Sequence, residues 1–306
     1  MISRLLEFFK EDVGFADITT ESIIPESSIA EAEIVAKESG ILAGVGECKL
    51  LLKHFNLKCT AFFKDGGEIR RGDAIMKIHG NARNILMLER LLLNILMRMS
   101  GIATTANVLV KKCKKYGVVV AGTRKTTPGF REFEKKAIVL GGGAPHRATL
   151  SDAILIKDNH IALIGLGNAI KKAKARHPRK KIEVEVSSLE DALKACECGA
   201  DIIMLDNMLP KQIKKVMQEL KKKKLRKKVT IELSGGITPE NILEYAKLRP
   251  DMISLGYLTT NARWLDMSLR IVKPKNVVSV RETKGIAKHK VKLEEVEEAL
   301  GRNEIR

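Results

Sequence analysis

The sequence predicts an α/β protein: a mixed α/β part over residues 1–115, then an αβ barrel of about six strands over residues 116–272. Two observations carry the prediction. From Gly117 onward, short runs rich in Val and Ile alternate with helical stretches, the pattern of a parallel sheet covered on both faces. Each run also ends in a reactive-looking side chain, as strands do when their C-termini converge on one barrel mouth. A doubly wound sheet would gather its ligand at a single crevice, and no G-x-G-x-x-G follows a first strand.

The elements follow in order. Helical periodicity covers 3–11. Residues 30–36 alternate, with Ala32, Ile34 and Ala36 on one face, and predict a strand. Strands are predicted at 59–63 and 74–78, with turn signals at Asp65-Gly66-Gly67 and Arg71-Gly72-Asp73 between them. A strong helix over 84–99 and another over 104–115 are expected to be separated at Gly101. The barrel strands are read at 118–121, 153–156, 182–186, 201–205, 229–233 and 251–255. Helices are read at 163–175, 189–198, 210–222 and 239–247. Residues 273–306 form a charged C-terminal extension with a short helical stretch at 293–300.

Composition excludes several classes. The 306 residues are 44% hydrophobic and only 4% aromatic, with no apolar run long enough for a membrane helix. The first residues carry Glu7, Glu11 and Asp12 and lack the apolar stretch of a signal peptide. Five scattered cysteines, with Cys196 and Cys198 as a C-x-C, fit neither a disulfide framework nor a zinc site. A cytoplasmic protein is expected. The net charge of +18 points first to nucleic acid. However, the densest basic runs, at 171–181 and 221–228, lie at helix ends just before strands begin. That is the barrel face opposite the mouth, where lysines complement helix dipoles. No aromatics interleave them to stack on bases. A solvated surface is therefore expected, with no nucleic-acid or membrane partner.

The strand ends supply three chemical sets. Arg124, Lys125, His146, Arg147 and Lys157, with Thr123 beside them, form a cationic set that calls for carboxylate or phosphate oxygens. Glu185 and Asp206 end two successive strands and offer hard oxygen ligands suited to Mg²⁺ shared with a polyphosphate. Glu183 has the parity of Glu185 and is expected to point inward, deeper down. Ser234, Gly235, Gly236 and Gly256, near a helix start at Thr238-Pro239-Glu240, form a backbone cradle for phosphate. A phosphate, a polyphosphate with Mg²⁺ and an acidic partner are all present in phosphoribosyl pyrophosphate acting with an acidic base.

The motifs that carry these residues are similar to a known family. Ala121 to Arg131 (AGTRKTTPGFR), Gly141 to Arg147 (GGGAPHR), Leu155 to His160 (LIKDNH), Glu183-Val-Glu185, Met204 to Asn207 (MLDN) and Glu232 to Gly236 (ELSGG) resemble quinolinate phosphoribosyltransferase, the carboxylating nicotinate-nucleotide pyrophosphorylase. Asp17 to Thr20, Glu89-Arg90 and Arg98 to Thr104 match as well. The resemblance implies an N-terminal α/β sandwich and an incomplete αβ barrel of the type II phosphoribosyltransferase kind. It implies an obligate homodimer, or a trimer of such dimers. Arg98 of the other subunit, with Arg124, His146, Arg147 and Lys157, would hold the quinolinate carboxylates. Lys125 and Lys157 would face the diphosphate, Glu185 and Asp206 would hold Mg²⁺ and ribose, and Ser234, Gly235, Gly236 and Gly256 would bind the 5-phosphate. Lys125, Lys157, Glu185 and Asp206 are the catalytic candidates. The chain departs from the family pattern at Pro145, where Asn is usual, and at Thr149, where Gly is common. Competing readings are a related phosphoribosyltransferase of the molybdenum-transport-associated type or one acting on nicotinate, an aldolase with Lys157 as Schiff base, and a basic RNA-binding protein.

Overall fold

The computed structural model describes residues 1–272; the extension at 273–306 and its helical stretch lie outside the described residues. The chain opens with α1 (Ile2–Val13) and α2 (Ile18–Ile23), the second capped by Asp17, whose side chain accepts from the Thr20 backbone N–H. Then come β1 (Ile29–Ala36), β2 (Gly40–Ile41), α3 (Val45–His54), β3 (Lys58–Ala61), β4 (Glu68–Ile69) and β5 (Ala74–Asn81). In β1 the alternation read from sequence holds: Ala32, Ile34 and Ala36 are fully buried.

The long α4 spans Ala82–Cys113 without interruption, so the expected separation at Gly101 does not occur. Gly101 answers a packing need instead. A Cβ there would lie 1.9 Å from the Arg263 carbonyl oxygen, so its absence lets the 263–264 backbone lie against the helix. The low helix propensity of glycine is overridden here by tertiary contact.

After a single 3₁₀ turn (Lys114–Tyr116) the barrel begins. Its parts are β6 (Val119–Ala121), α5 (Arg131–Leu140), β7 (Ile154–Ile156), α6 (Asp158–Ile164), α7 (Leu166–Arg176), β8 (Ile182–Val186), α8 (Leu189–Glu197), β9 (Ile202–Asp206), α9 (Pro210–Lys222), β10 (Thr230–Ser234), α10 (Ile242–Ala246), β11 (Met252–Ser254) and α11 (Tyr257–Thr260). The six strands form one sheet in the order β6-β11-β10-β9-β8-β7, with every neighbouring pair parallel. β6 and β7 are its two edges, so the barrel stays open at the seam between them. A lone bridge between Ala121 and Ala144 continues the β6 edge. The helix predicted over 163–175 begins earlier and is divided at Gly165 into α6 and α7.

The chain ends its described part with β12 (Met267–Val272), which leaves the barrel and pairs antiparallel with β1. The N-terminal sheet is thus β12-β1-β5-β3. One apolar core runs through both parts, with α4 contributing Leu88, Leu92, Leu96, Ile102 and Leu109 from successive turns. α/β sandwich and incomplete barrel are both present as expected.

Candidate active site

Strand parity sets the cleft floor and rim. In β8, Glu183 and Glu185 share the inward face, Glu185 nearer the C-terminal end. In β10, Glu232 and Ser234 do the same. The register pairs Glu185 with Met204 and Ser234 with Asp206, so Glu185, Asp206 and Ser234 stand together at the mouth.

The mouth opens into a cleft of 490 Å³, within the range of small-molecule sites. Thr123, Arg124, Lys125, His146, Arg147, Lys157, Glu185, Asp206, Ser234, Gly235, Gly236 and Gly256 all line it. Asn207 and Ser254, which the sequence reading left without a role, line it too.

Arg98 is not brought to this cleft in its own chain. Its guanidinium donates to the buried Glu134 carboxylate at 2.6 Å, to the Thr259 carbonyl and to the Ala262 carbonyl at 3.2 Å. Within its own chain the guanidinium is a strut between α4, α5 and the 259–262 segment. Glu134 also accepts from the Thr127 backbone N–H at 3.1 Å and the Thr127 hydroxyl at 3.0 Å. The Thr259 hydroxyl donates to the Lys125 carbonyl. Together these bonds fix the loop that presents Arg124 and Lys125.

A second segment, 145–147, presents His146 and Arg147. His146 has φ 55°, an uncommon left-handed backbone for a residue with a side chain. Lys135 of α5 donates to the carbonyls on either side, those of Pro145 and Arg147. Burial, then the charges of Arg131, Arg124 and Arg147, lower the Lys135 pKa to about 8. Burial and Arg124 also lower Arg147. This cluster is short of negative charge, as an anion site should be. Thr149 has a local function: its backbone N–H, its hydroxyl and the Ala148 N–H all bond to Asp152, closing the turn into β7.

The His146 ring turns downward. Its Nε2 lies 3.3 Å from Glu232 and 3.5 Å from Glu183, both buried. Hydrogen bonding to Glu183, then to Glu232, raises the His146 pKa to about 9. Burial raises Glu183. Glu232 stands in the ELSGG motif, where nothing in the sequence marks its role.

Across the cleft, Lys157 donates to Glu185. Asp206 accepts from the Asn207 amide at 2.6 Å. Burial, then the Glu185 charge, raises the Asp206 pKa. The glycine cradle is built on left-handed backbone, with Gly235 at φ 84° and Gly236 at φ 61°. At Gly235 a Cβ would strike the Asn207 amide oxygen at 2.3 Å, so the turn requires glycine. The expected helix start at Thr238 lies too early; α10 begins at Ile242. The cradle therefore relies on glycine backbone rather than on a long helix dipole.

A glycine cradle, paired acids and an under-neutralised cationic wall at one barrel mouth define an enzyme for phosphorylated, multiply anionic substrates. Similarity narrows the class. Residues 17–100 match the family description "Quinolinate phosphoribosyl transferase, N-terminal domain", and residues 102–270 match its C-terminal domain. The chain is 49% identical over 261 residues to a probable nicotinate-nucleotide pyrophosphorylase [carboxylating] of Archaeoglobus fulgidus, covering 85% of this chain and 99% of that protein. It is 37% identical over 254 residues to the human nicotinate-nucleotide pyrophosphorylase [carboxylating], covering 82% of this chain and 85% of that one. The solved nicotinate-nucleotide pyrophosphorylase of Francisella tularensis superposes with a TM-score of 0.81 at 35% identity, covering 88% of this chain and 94% of that one. The chain belongs to the quinolinate phosphoribosyltransferase family.

Proposed function

We propose that the chain transfers the phosphoribosyl group of phosphoribosyl pyrophosphate to quinolinate, releasing diphosphate and CO₂ and forming nicotinate mononucleotide for NAD synthesis. The observation that supports this most is the meeting of three sets in one cleft: cradle, acids and cations. Ser234, Gly235, Gly236 and Gly256 bind the 5-phosphate. Lys125 and Lys157 face the diphosphate. Arg124, Arg147, His146 and Lys157 receive the two carboxylates, with Thr123 at the rim. The bond from ribose C1 to diphosphate breaks with its electron pair leaving on oxygen, and the pyridine nitrogen attacks C1. Glu185 and Asp206 stabilise the positive charge that develops on the ribose. The quaternised nitrogen then stabilises the carbanion left at C2 when the adjacent carboxylate departs as CO₂, and a proton replaces it. The protein need only position and neutralise.

Mg²⁺ fits the donor set. Glu185 and Asp206 offer hard oxygens on neighbouring strands, and burial together with the Glu185 charge disfavours the ionised form of Asp206, a penalty a cation between them would offset. Held there, the ion would offset charge on the diphosphate.

We take the working assembly as a homodimer, or a trimer of dimers. Phe15, Ile18 and Ile23 leave apolar surface exposed near the N-terminus, which supports a covered face there. Among the described residues no helix is long and apolar enough to cross a membrane. Free thiols at Cys48, Cys59, Cys113, Cys196 and Cys198 support a reducing, cytoplasmic setting.

The test is incubation with phosphoribosyl pyrophosphate, Mg²⁺ and quinolinate, with nucleotide and CO₂ both measured. Equal amounts of both are expected. Nicotinate should be used at least ~100-fold less well, because one carboxylate leaves the cationic wall partly unpaired. Equal use of nicotinate, or no turnover of quinolinate, would overturn the reading.

A further inference from the structure

The layer beneath the mouth of an αβ barrel is usually filled by branched apolar side chains. Here it holds two carboxylates. Glu183 and Glu232 are 3% and 1% exposed, and each keeps one oxygen, Oε1, buried without a hydrogen-bond partner. Such a pair is costly unless something depends on it.

What depends on it is one ring. Each glutamate sits two residues below a mouth residue on its strand, Glu183 below Glu185 and Glu232 below Ser234. Among the described residues, His146 is the cation within ion-pair distance of both. Its backbone is held separately, by Lys135 on the flanking carbonyls. The ring is thus gripped at Nε2 from below while its residue lines the cleft above. The ion-pair distances to both glutamates run from Nε2, which leaves Nδ1 available to a ligand.

We propose that Glu183 and Glu232 are positioning residues that hold the His146 ring with Nε2–H directed down, so that Nδ1–H is presented as a donor to a carboxylate of the pyridine substrate. This rests on the function proposed above and adds the device behind one of its contacts. The chemistry demands it. A neutral ring with its proton on Nε2 would present a lone pair at Nδ1 and repel a carboxylate. Only the imidazolium donates at both nitrogens, and two buried carboxylates favour that form. The raised His146 pKa agrees. Neither glutamate touches substrate; both act through the ring.

The experiment uses the full chain. Glu232→Gln and Glu183→Gln, isosteric and uncharged, are made in the wild-type and in the His146→Ala background, with kcat and both KM values measured. Either change alone should raise the KM for quinolinate about tenfold, the scale of one charge-assisted hydrogen bond, and leave the KM for phosphoribosyl pyrophosphate within about twofold. In the His146→Ala background the same changes should add less than about twofold, because the ring they serve is gone. Equal rises in both KM values, or effects that multiply with His146→Ala, would overturn the proposal. So would stoichiometric metal in the purified protein that is lost in Glu232→Gln, since the three side chains could also serve as ligands to an ion.

A readout independent of turnover separates this proposal from the assigned function. Nitrogen NMR of His146 should show both ring nitrogens protonated at neutral pH in the wild type and a ring that loses its proton at lower pH in Glu232→Gln. An unchanged ring overturns the proposal even if quinolinate is turned over. If Glu232→Gln does not fold, Glu183→Gln gives the same reading.

Discussion

The two ends of the barrel carry the same kind of charge and use it differently. At the mouth, the cations are drawn into the structure: Arg147 donates to the Ala153 carbonyl and Lys157 to Glu185, the Arg124 Nε is buried without a hydrogen-bond partner, and Lys135 behind them donates to two carbonyls of the segment between α5 and β7. At the other end, Lys171, Lys172, Lys174, Arg176, Lys221, Lys222 and Lys223 are exposed. The pair Lys223–Glu197 is exposed on both sides. Burial and shared partners, rather than the count of positive charges, distinguish a binding wall from a solvated surface. The net charge of +18 combines the two and reports neither.

The comparison is broken most severely from behind the mouth. Arg98→Ala removes the partner of the buried Glu134 and leaves a carboxylate unpaired. A loss of about 3–5 kcal/mol of stability is expected, read by denaturant unfolding. The loop of Arg124 and Lys125 loosens with it, so activity falls in the same chain. If the strut is the whole role of Arg98, mixing Arg98→Ala with Lys157→Ala subunits restores nothing, since each subunit lacks one of the two. Recovery of activity in confirmed hybrids would show that Arg98 works in a neighbour's cleft and that the strut is secondary.

The acids at the rim come next. Asp206→Asn keeps the shape and removes the charge. It should lower kcat by about 10²–10³, or roughly 3–4 kcal/mol of barrier, with little change in quinolinate affinity. Steady-state kinetics and calorimetry read the two separately. Lost affinity with unchanged turnover would move Asp206 from the ribose to the base.

Much of this was legible from the chain alone, for a physical reason. Strand ends in a parallel barrel meet by topology, so finding the strands finds the mouth: Thr123 to Lys125, Lys157, Glu185, Asp206 and Ser234 to Gly236 needed no long-range information. The floor was half legible. The parity of Glu183 placed it inward, but its pairing with Glu232 depends on which residues of β8 and β10 share a layer. Those strands are separated by β9. The Arg98–Glu134 strut was illegible because its two halves lie on different helices, 36 positions apart. α5 hid for a related reason: Glu134 and Lys135 are core residues there, so the helix reads as polar where it is buried. Buried polar pairs satisfy one another only in three dimensions, and a one-dimensional pattern scores each as exposed.

The smallest effect belongs to the far end. Replacing Lys171, Lys172 and Lys174 together by Gln removes three positive charges from α7, all exposed and far along the barrel axis from the cleft. Of the three only Lys174 lies in the last turn, so the change loses chiefly one screened interaction with the helix C-terminus, about 0.3–1 kcal/mol at low salt and less at physiological ionic strength. Helix propensity barely changes, since Lys and Gln are near neighbours on the scale. Stability should fall by about 1 kcal/mol or less at low salt, and both KM values should hold within about twofold. The salt dependence is the sharper reading. If the far-end lysines steered anionic substrates to the mouth, kcat/KM for phosphoribosyl pyrophosphate would drop in the triple variant at low salt and recover as salt rises. A flat response would confine the working charge to the mouth.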